Sequence, residues 1–219
     1  MGVRPSLRHP RHCLSTKQHA KREFIKIKNL YKNSLISGVD YKIVCYFSGW
    51  AIYRKEPMKF GASQVDPQMC THIIYSFAGL DNSTLQIISL DPEADIEQGG
   101  YKDVIALKDK NPDLKVMLAI GGWNEGVKKY SKMASTPENR SNFVQSVRKF
   151  LTHHNFDGLD MDWEYPGDTE RGGSWSDKEN YVLLLEELRE AFNENGWLLS
   201  AAVPAPKSRY IFIYIEILI

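Results

Sequence analysis

Four carboxylates crowd one short apolar stretch, FDGLDMDWEYPG at residues 156–167: Asp157, Asp160, Asp162 and Glu164. The leucine, methionine and tryptophan among them suit a buried strand, and an isolated buried carboxylate is too costly to keep for packing alone. Alternate residues of a strand share a face, so Asp160, Asp162 and Glu164 point one way while Leu159, Met161 and Trp163 point the other. Acids at steps of about 6 to 7 Å cannot all ionise cheaply in a partly desolvated site, so at least one pKa rises. A carboxyl with a raised pKa is a general acid. Glu164, last in the row, is the candidate proton donor; Asp162 stays ionised or shares a proton, and Asp160 stands behind it. Asp157, at the strand's entry, is assigned structural hydrogen bonds. Two rivals stand beside this reading. A D-x-D-x-E row could ligate a hard cation, but no histidine or amide cluster completes a shell and the calcium-loop glycine is missing, so no metal is assigned. The acids could also be purely structural.

The surrounding elements read as βα units. Between Tyr41 and Pro204 short β-branched or aromatic runs alternate with amphipathic helical patterns, which is how a parallel sheet is fed. Five strands are expected: KIVCYF from Lys42, THIIYSFAGL from Thr71, LKVMLAIGG from Leu114, the acidic stretch from Phe156, and WLLSAAVP from Trp197. Thr136, Pro137 and Glu138 start one helix, with Phe143, Val144, Val147, Phe150 and Leu151 on its apolar face. Ser176 and Glu179 fit a capping box before Tyr181, Val182, Leu184, Leu185, Leu188 and Phe192, with a stop at Asn195-Gly196. A third helix is expected from near Tyr101 to Lys110, halted by Asn111-Pro112. No glycine-rich phosphate turn follows the first strand, and aromatic and polar residues gather after the strands' carboxyl ends. The fold class is therefore α/β, a partial (β/α)8 TIM barrel with about five βα units, in preference to an open doubly wound sheet.

A net charge of +1 over 219 residues does not point to nucleic acid, and 42% hydrophobic content is ordinary for a soluble globular chain. Residues 1–40 form a basic leader without an apolar signal core, read as a disordered arm or an ill-defined gene start. Residues 41–208 carry the barrel pattern. Residues 209–219 form an aberrant hydrophobic tail, too short to span a bilayer, which needs roughly 20 residues. Cys45 and Cys70 begin two neighbouring predicted strands, where either a disulfide or two buried thiols fit; Cys13 is read as free.

With these residues in view, DGLDMDWE resembles the D-x-x-D-x-D-x-E signature of family 18 glycoside hydrolases, the chitinases and chitinase-like proteins. CYFSGW at 45–50, THIIYSFAG at 71–79, LAIGGWN at 118–124 and LSAAVPA at 199–205 resemble that family's strands one, two, three and five, in order, and are most similar to the arthropod type. The resemblance implies retaining cleavage of β-1,4-linked N-acetylglucosamine in which the substrate's own acetamido oxygen attacks the anomeric carbon. It implies that Glu164 protonates the glycosidic oxygen and later activates water, that Asp162 orients the acetamide, that Asp160 tunes Asp162, and that Tyr165 helps hold the acetamide. Tyr46, Trp50, Phe77 and Trp123, with Gly122 and Asn124 beside it, are similar to subsite-lining positions. Core packing is the alternative for each aromatic. The resemblance further implies chitin or a chito-oligosaccharide as partner, no cofactor, a Cys45–Cys70 disulfide, an extracellular location, and a monomer when the barrel is complete. The family's last three strands have no counterpart before the resemblance stops near Ser208, so open edges are expected on the first and fifth strands. A non-catalytic, lectin-like relative is the rival function.

Overall fold

One sheet runs through residues 41–204, the part of the chain that the computed structural model describes. The basic leader, Cys13 and the hydrophobic tail lie outside the described residues. In chain order the strands are β1 (Val44–Ser48), β2 (His72–Leu80), β3 (Ile87–Ser89), β4 (Lys115–Gly121), β5 (Gly158–Asp162) and β6 (Leu198–Ala201). They lie in the order β1-β2-β4-β5-β6, every neighbouring pair parallel, and β3 folds back antiparallel onto β2. The arc is part of a (β/α)8 barrel wall, as the alternation of strand and helix patterns predicts. All five expected strands are present. The sixth, β3, is three residues long, too short for any periodicity to announce it.

The helices are α1 (Gly100–Ile105), α2 (Lys128–Ala134), α3 (Pro137–His154) and α4 (Asp177–Asn193). The Thr136 hydroxyl accepts from the Asn139 N–H at 3.2 Å, and Pro137 occupies the first turn, so α3 starts as its sequence dictates. Phe143, Val144, Val147 and Leu151 are buried. Two expectations are corrected. The helix from Tyr101 is α1 and then tightens to a 3-10 turn over Ala106–Asp109. Ser176 precedes α4 but makes no side-chain capping bond: its hydroxyl pairs with the Ser174 hydroxyl at 2.9 Å instead.

Strand alternation separates two faces. Ile73, Tyr75, Val116, Leu118, Ile120, Leu159, Met161 and Trp163 join the large core under the helices. Ile74, Met117 and Ala119 form a small second cluster inside the arc, with Phe77 and Leu198 against it. Asp157 fastens the sheet's lower end: its carboxylate accepts from the Val116 N–H at 2.7 Å and pairs with Lys108 at 3.0 Å. Cys45 and Cys70 form a disulfide with Cα atoms 6.1 Å apart, tying β1 to the segment that enters β2. Among the described residues β1 and β6 each have a single strand neighbour, and no helix is long and apolar enough to cross a membrane.

Candidate active site

The register between strands decides what each acid meets. Asp160 lies opposite Ala119 on β4 and opposite Ser200 on β6. Ala119 leaves room above the small inner cluster, and Ser200 supplies a hydroxyl that donates to Asp160 Oδ1 at 2.5 Å. Tyr46, reaching across from β1, donates its hydroxyl to Asp160 Oδ2. Burial, then the hydrogen bond to Asp160, raises the Tyr46 pKa and keeps it a donor. Both Asp160 oxygens therefore accept from neutral hydroxyl donors.

Asp162 is the enclosed member of the row, 3% exposed. Desolvation first, then the charge and hydrogen bond of Asp160 and the charge of Glu164, push its pKa up to about 9, against a smaller opposing hydrogen bond from the Ala202 backbone. Its Oδ1 is buried and has no hydrogen-bond partner among the described residues. The raised acid is thus Asp162, sharing with Asp160, whereas the row pattern favours Glu164. The reason is geometric. Strand β5 ends at Asp162, and Glu164 lies beyond it, half-buried at the carboxyl end of the sheet.

There Glu164 lines a cleft of about 550 Å³ together with Trp50, Phe77, Gly122, Trp123 and Asn124. Trp50 stacks on Phe77 with ring centroids 5.8 Å apart and planes 13° from parallel. Gly122, at φ +86°, brings its backbone against the Phe77 ring, where a Cβ would lie 3.2 Å from the ring carbons, and its N–H donates to the Asp162 carbonyl at 2.9 Å. Trp123 is 52% exposed, so core packing is not its role; Trp50 is similarly open. Tyr46, bonded to Asp160, and the half-buried Tyr165, which follows Glu164, do not line this cleft. Among the described residues no group of three or more His, Cys, Asp and Glu is arranged to hold a metal.

Three residues near this site escape the sequence reading. Ser200 carries a readable trace, a polar residue inside an apolar strand. Asp177 reads as an ordinary first-turn acid and Arg171 as a loop cation, because the contacts of both cross the chain.

A parallel βα arc with acids and exposed aromatics at the strands' carboxyl ends has the layout of a barrel enzyme's site. The sequence matches Glycosyl hydrolases family 18 over residues 42–217, and the chain belongs to that family. It is 49% identical to "Probable chitinase 2" of Drosophila melanogaster over 172 residues, covering 77% of this chain and 35% of that protein. It is 45% identical to the "Endochitinase" of Manduca sexta over 170 residues, covering 77% of this chain and 31% of that protein. Among solved structures, the Ostrinia furnacalis Group IV chitinase superposes with a TM-score of 0.76 at 42% identity, over 79% of this chain and 47% of that one. Human YKL-39, described as a pseudo-chitinase with retained chitooligosaccharide binding, superposes with a TM-score of 0.68 at 36% identity, over 80% of this chain and 46% of that one. The chain therefore spans about a third of the curated relatives it matches and about half of the solved chains.

Proposed function

We propose that this chain carries the acid half of a chitinase site, which cleaves β-1,4 N-acetylglucosamine linkages by substrate-assisted retaining catalysis. In this reading residues 41–208 belong to the first part of the catalytic barrel and the basic leader lies outside it, while the family match itself runs on to residue 217. Glu164 gives its proton to the glycosidic oxygen as the acetamido oxygen closes on the anomeric carbon. The resulting carboxylate then takes a proton from the water that opens the ring intermediate. Asp162 faces the acetamide. Its unpartnered Oδ1 is an acceptor for the acetamido N–H, and the positive charge that develops on the acetamide favours its ionised form. Asp160, fixed by Tyr46 and Ser200, takes up or shares the proton that Asp162 gives up. Trp50, Phe77 and Trp123 offer faces on which sugar rings stack, Asn124 borders them, Gly122 keeps the wall close, and Tyr165 steadies the acetamide. No cofactor enters this scheme. The observation that carries it is a buried carboxyl with a raised pKa and one idle oxygen, beside a half-open glutamate in an aromatic cleft.

The Cys45–Cys70 disulfide favours an oxidising compartment, which suits an extracellular enzyme acting on chitin, monomeric when its barrel is complete. A second reading is oligosaccharide binding without turnover, as described for the similar human YKL-39, a pseudo-chitinase with retained chitooligosaccharide binding. Hydrolysis of a fluorogenic chito-oligosaccharide by the purified chain, set beside Glu164→Gln, separates the two. Turnover that the substitution abolishes supports the enzyme. Equal rates for both, with chitin pull-down retained, leave the binding reading.

A further inference from the structure

The loop after the acid is fastened from two sides. On the inner side the fully buried Asp177 accepts from the Ser131 hydroxyl at 2.6 Å, the Ser174 N–H at 2.7 Å and the Gly167 N–H at 3.2 Å. On the cleft side lies Arg171, at the end of a short turn that begins at Asp168. Its Nη1 donates to the Glu164 carbonyl oxygen and its Nη2 to the Trp123 carbonyl oxygen, each at 2.5 Å. Its Cζ stands 3.7 Å from the centroid of the Trp123 indole. One planar group therefore grips the main chain of the acid, the main chain of the aromatic residue, and one face of the indole.

We infer that Arg171 is a positioning residue for sugar binding: it fixes the plane of Trp123 relative to Glu164, so that a ring stacked on the free indole face presents its linkage to the acid. The inference rests on the proposed reading of Trp123 as a sugar platform. The turn 3-10 geometry alone would not require a guanidinium, because Asp168 caps that turn through the Arg171 backbone N–H. The side chain is free to serve the cleft. A fork with two parallel donors and a flat face is what the two carbonyls and the indole match, and an ammonium has neither the fork nor the face. Without the clamp, the indole of a half-exposed loop residue turns about its side-chain torsions, and ordering it again on binding weakens association.

The test is a double-mutant cycle on the affinity of the purified chain for penta-N-acetylchitopentaose, measured by calorimetry with Arg171→Ala, Arg171→Lys, Trp123→Ala and the Arg171→Ala/Trp123→Ala pair. A cation–π contact with its ordering role corresponds to a loss of roughly three- to tenfold. Arg171→Ala and Arg171→Lys should each weaken binding by about that factor, and Trp123→Ala by at least as much. The decisive result is non-additivity: Arg171→Ala should add nothing once Trp123 is gone. The same loss in both backgrounds would show Arg171 acting on the sugar directly and overturn the inference. So would wild-type affinity in Arg171→Lys, which would make charge alone sufficient. Unchanged affinity in both Arg171 variants beside a weakened Trp123→Ala refutes the clamp while leaving the platform intact. An unaffected Trp123→Ala refutes the platform itself, and the clamp with it. If Arg171→Ala unfolds, Arg171→Gln, a shorter side chain that keeps a hydrogen-bonding amide but neither the charge nor the fork, completes the cycle.

Discussion

Met117 and Leu118 are neighbours on β4, yet they belong to differently built layers. Leu118 faces the helices and joins a continuous core whose members run from Phe47 to Leu199. Met117 faces the inside of the arc, where the buried apolar cluster consists of Met117, Ile74 and Ala119, and the layer above it is polar: Asp160, Asp162, Ser200 and the Tyr46 hydroxyl. The outer layer is closed by α1 to α4 and holds the fold. The inner layer is small and carries the carboxyls, and in the proposed function it holds the chemistry. Under that reading stability and function are divided between the two faces of one sheet, at one residue's spacing.

The sharpest way to break this contrast is to cut the same strand on both faces. Removing a buried side chain costs the transfer term plus whatever cavity the surroundings fail to fill, about 2 to 5 kcal/mol for leucine or methionine to alanine. Leu118→Ala should fall near the upper end, about 4 kcal/mol, and Met117→Ala near about 2 kcal/mol, because Leu118 sits in the large core and Met117 in a cluster of three buried residues. Urea unfolding of the two variants measures the difference, and equal losses would mean that the layers are equally closed.

Next in size is a pH effect confined to the inner layer. Asp162 titrates near 3.8 in an unfolded chain and near 9 in the fold, so the folded state binds the extra proton between those values. Its contribution to stability is fully present below pH 3.8 and is lost as pH rises toward 9. Asp162→Asn removes that titration, so its melting temperature should fall less than the parent's between pH 5 and pH 9. Parallel melting profiles for the two proteins would contradict an enclosed, protonated Asp162.

The smallest effect belongs to the outer layer. Thr136→Ala removes one cap from α3 and should cost about 1 kcal/mol, with no change in chito-oligosaccharide affinity. A change in affinity would show that the outer layer also sets the site.

Much of this molecule is written in its local patterns. Period-two alternation around Leu159 and Met161 assigns one face of β5 to the core, and the cap at Thr136-Pro137 starts α3, because both depend on residues within a few positions of one another. The cleft's aromatic residues are visible for the same reason, as tryptophans in polar loops. The capping box at Ser176 fails because its hydroxyl pairs with Ser174 in a loop that Asp177 folds back through bonds to Gly167, Ser174 and Ser131.

By itself, then, the sequence determined that acids would stand in a row at the end of a parallel strand, with greasy residues behind them and aromatics nearby. Only the tertiary structure decided which acid is pushed toward the protonated form and which arginine lies against the Trp123 indole. Asp162's pKa is raised first by enclosure, which segments from across the chain provide, and then by Asp160 on its own strand, whose two oxygens are held from other strands by Ser200 and Tyr46. Such contacts depend on register between segments far apart in the chain, and no local pattern records them.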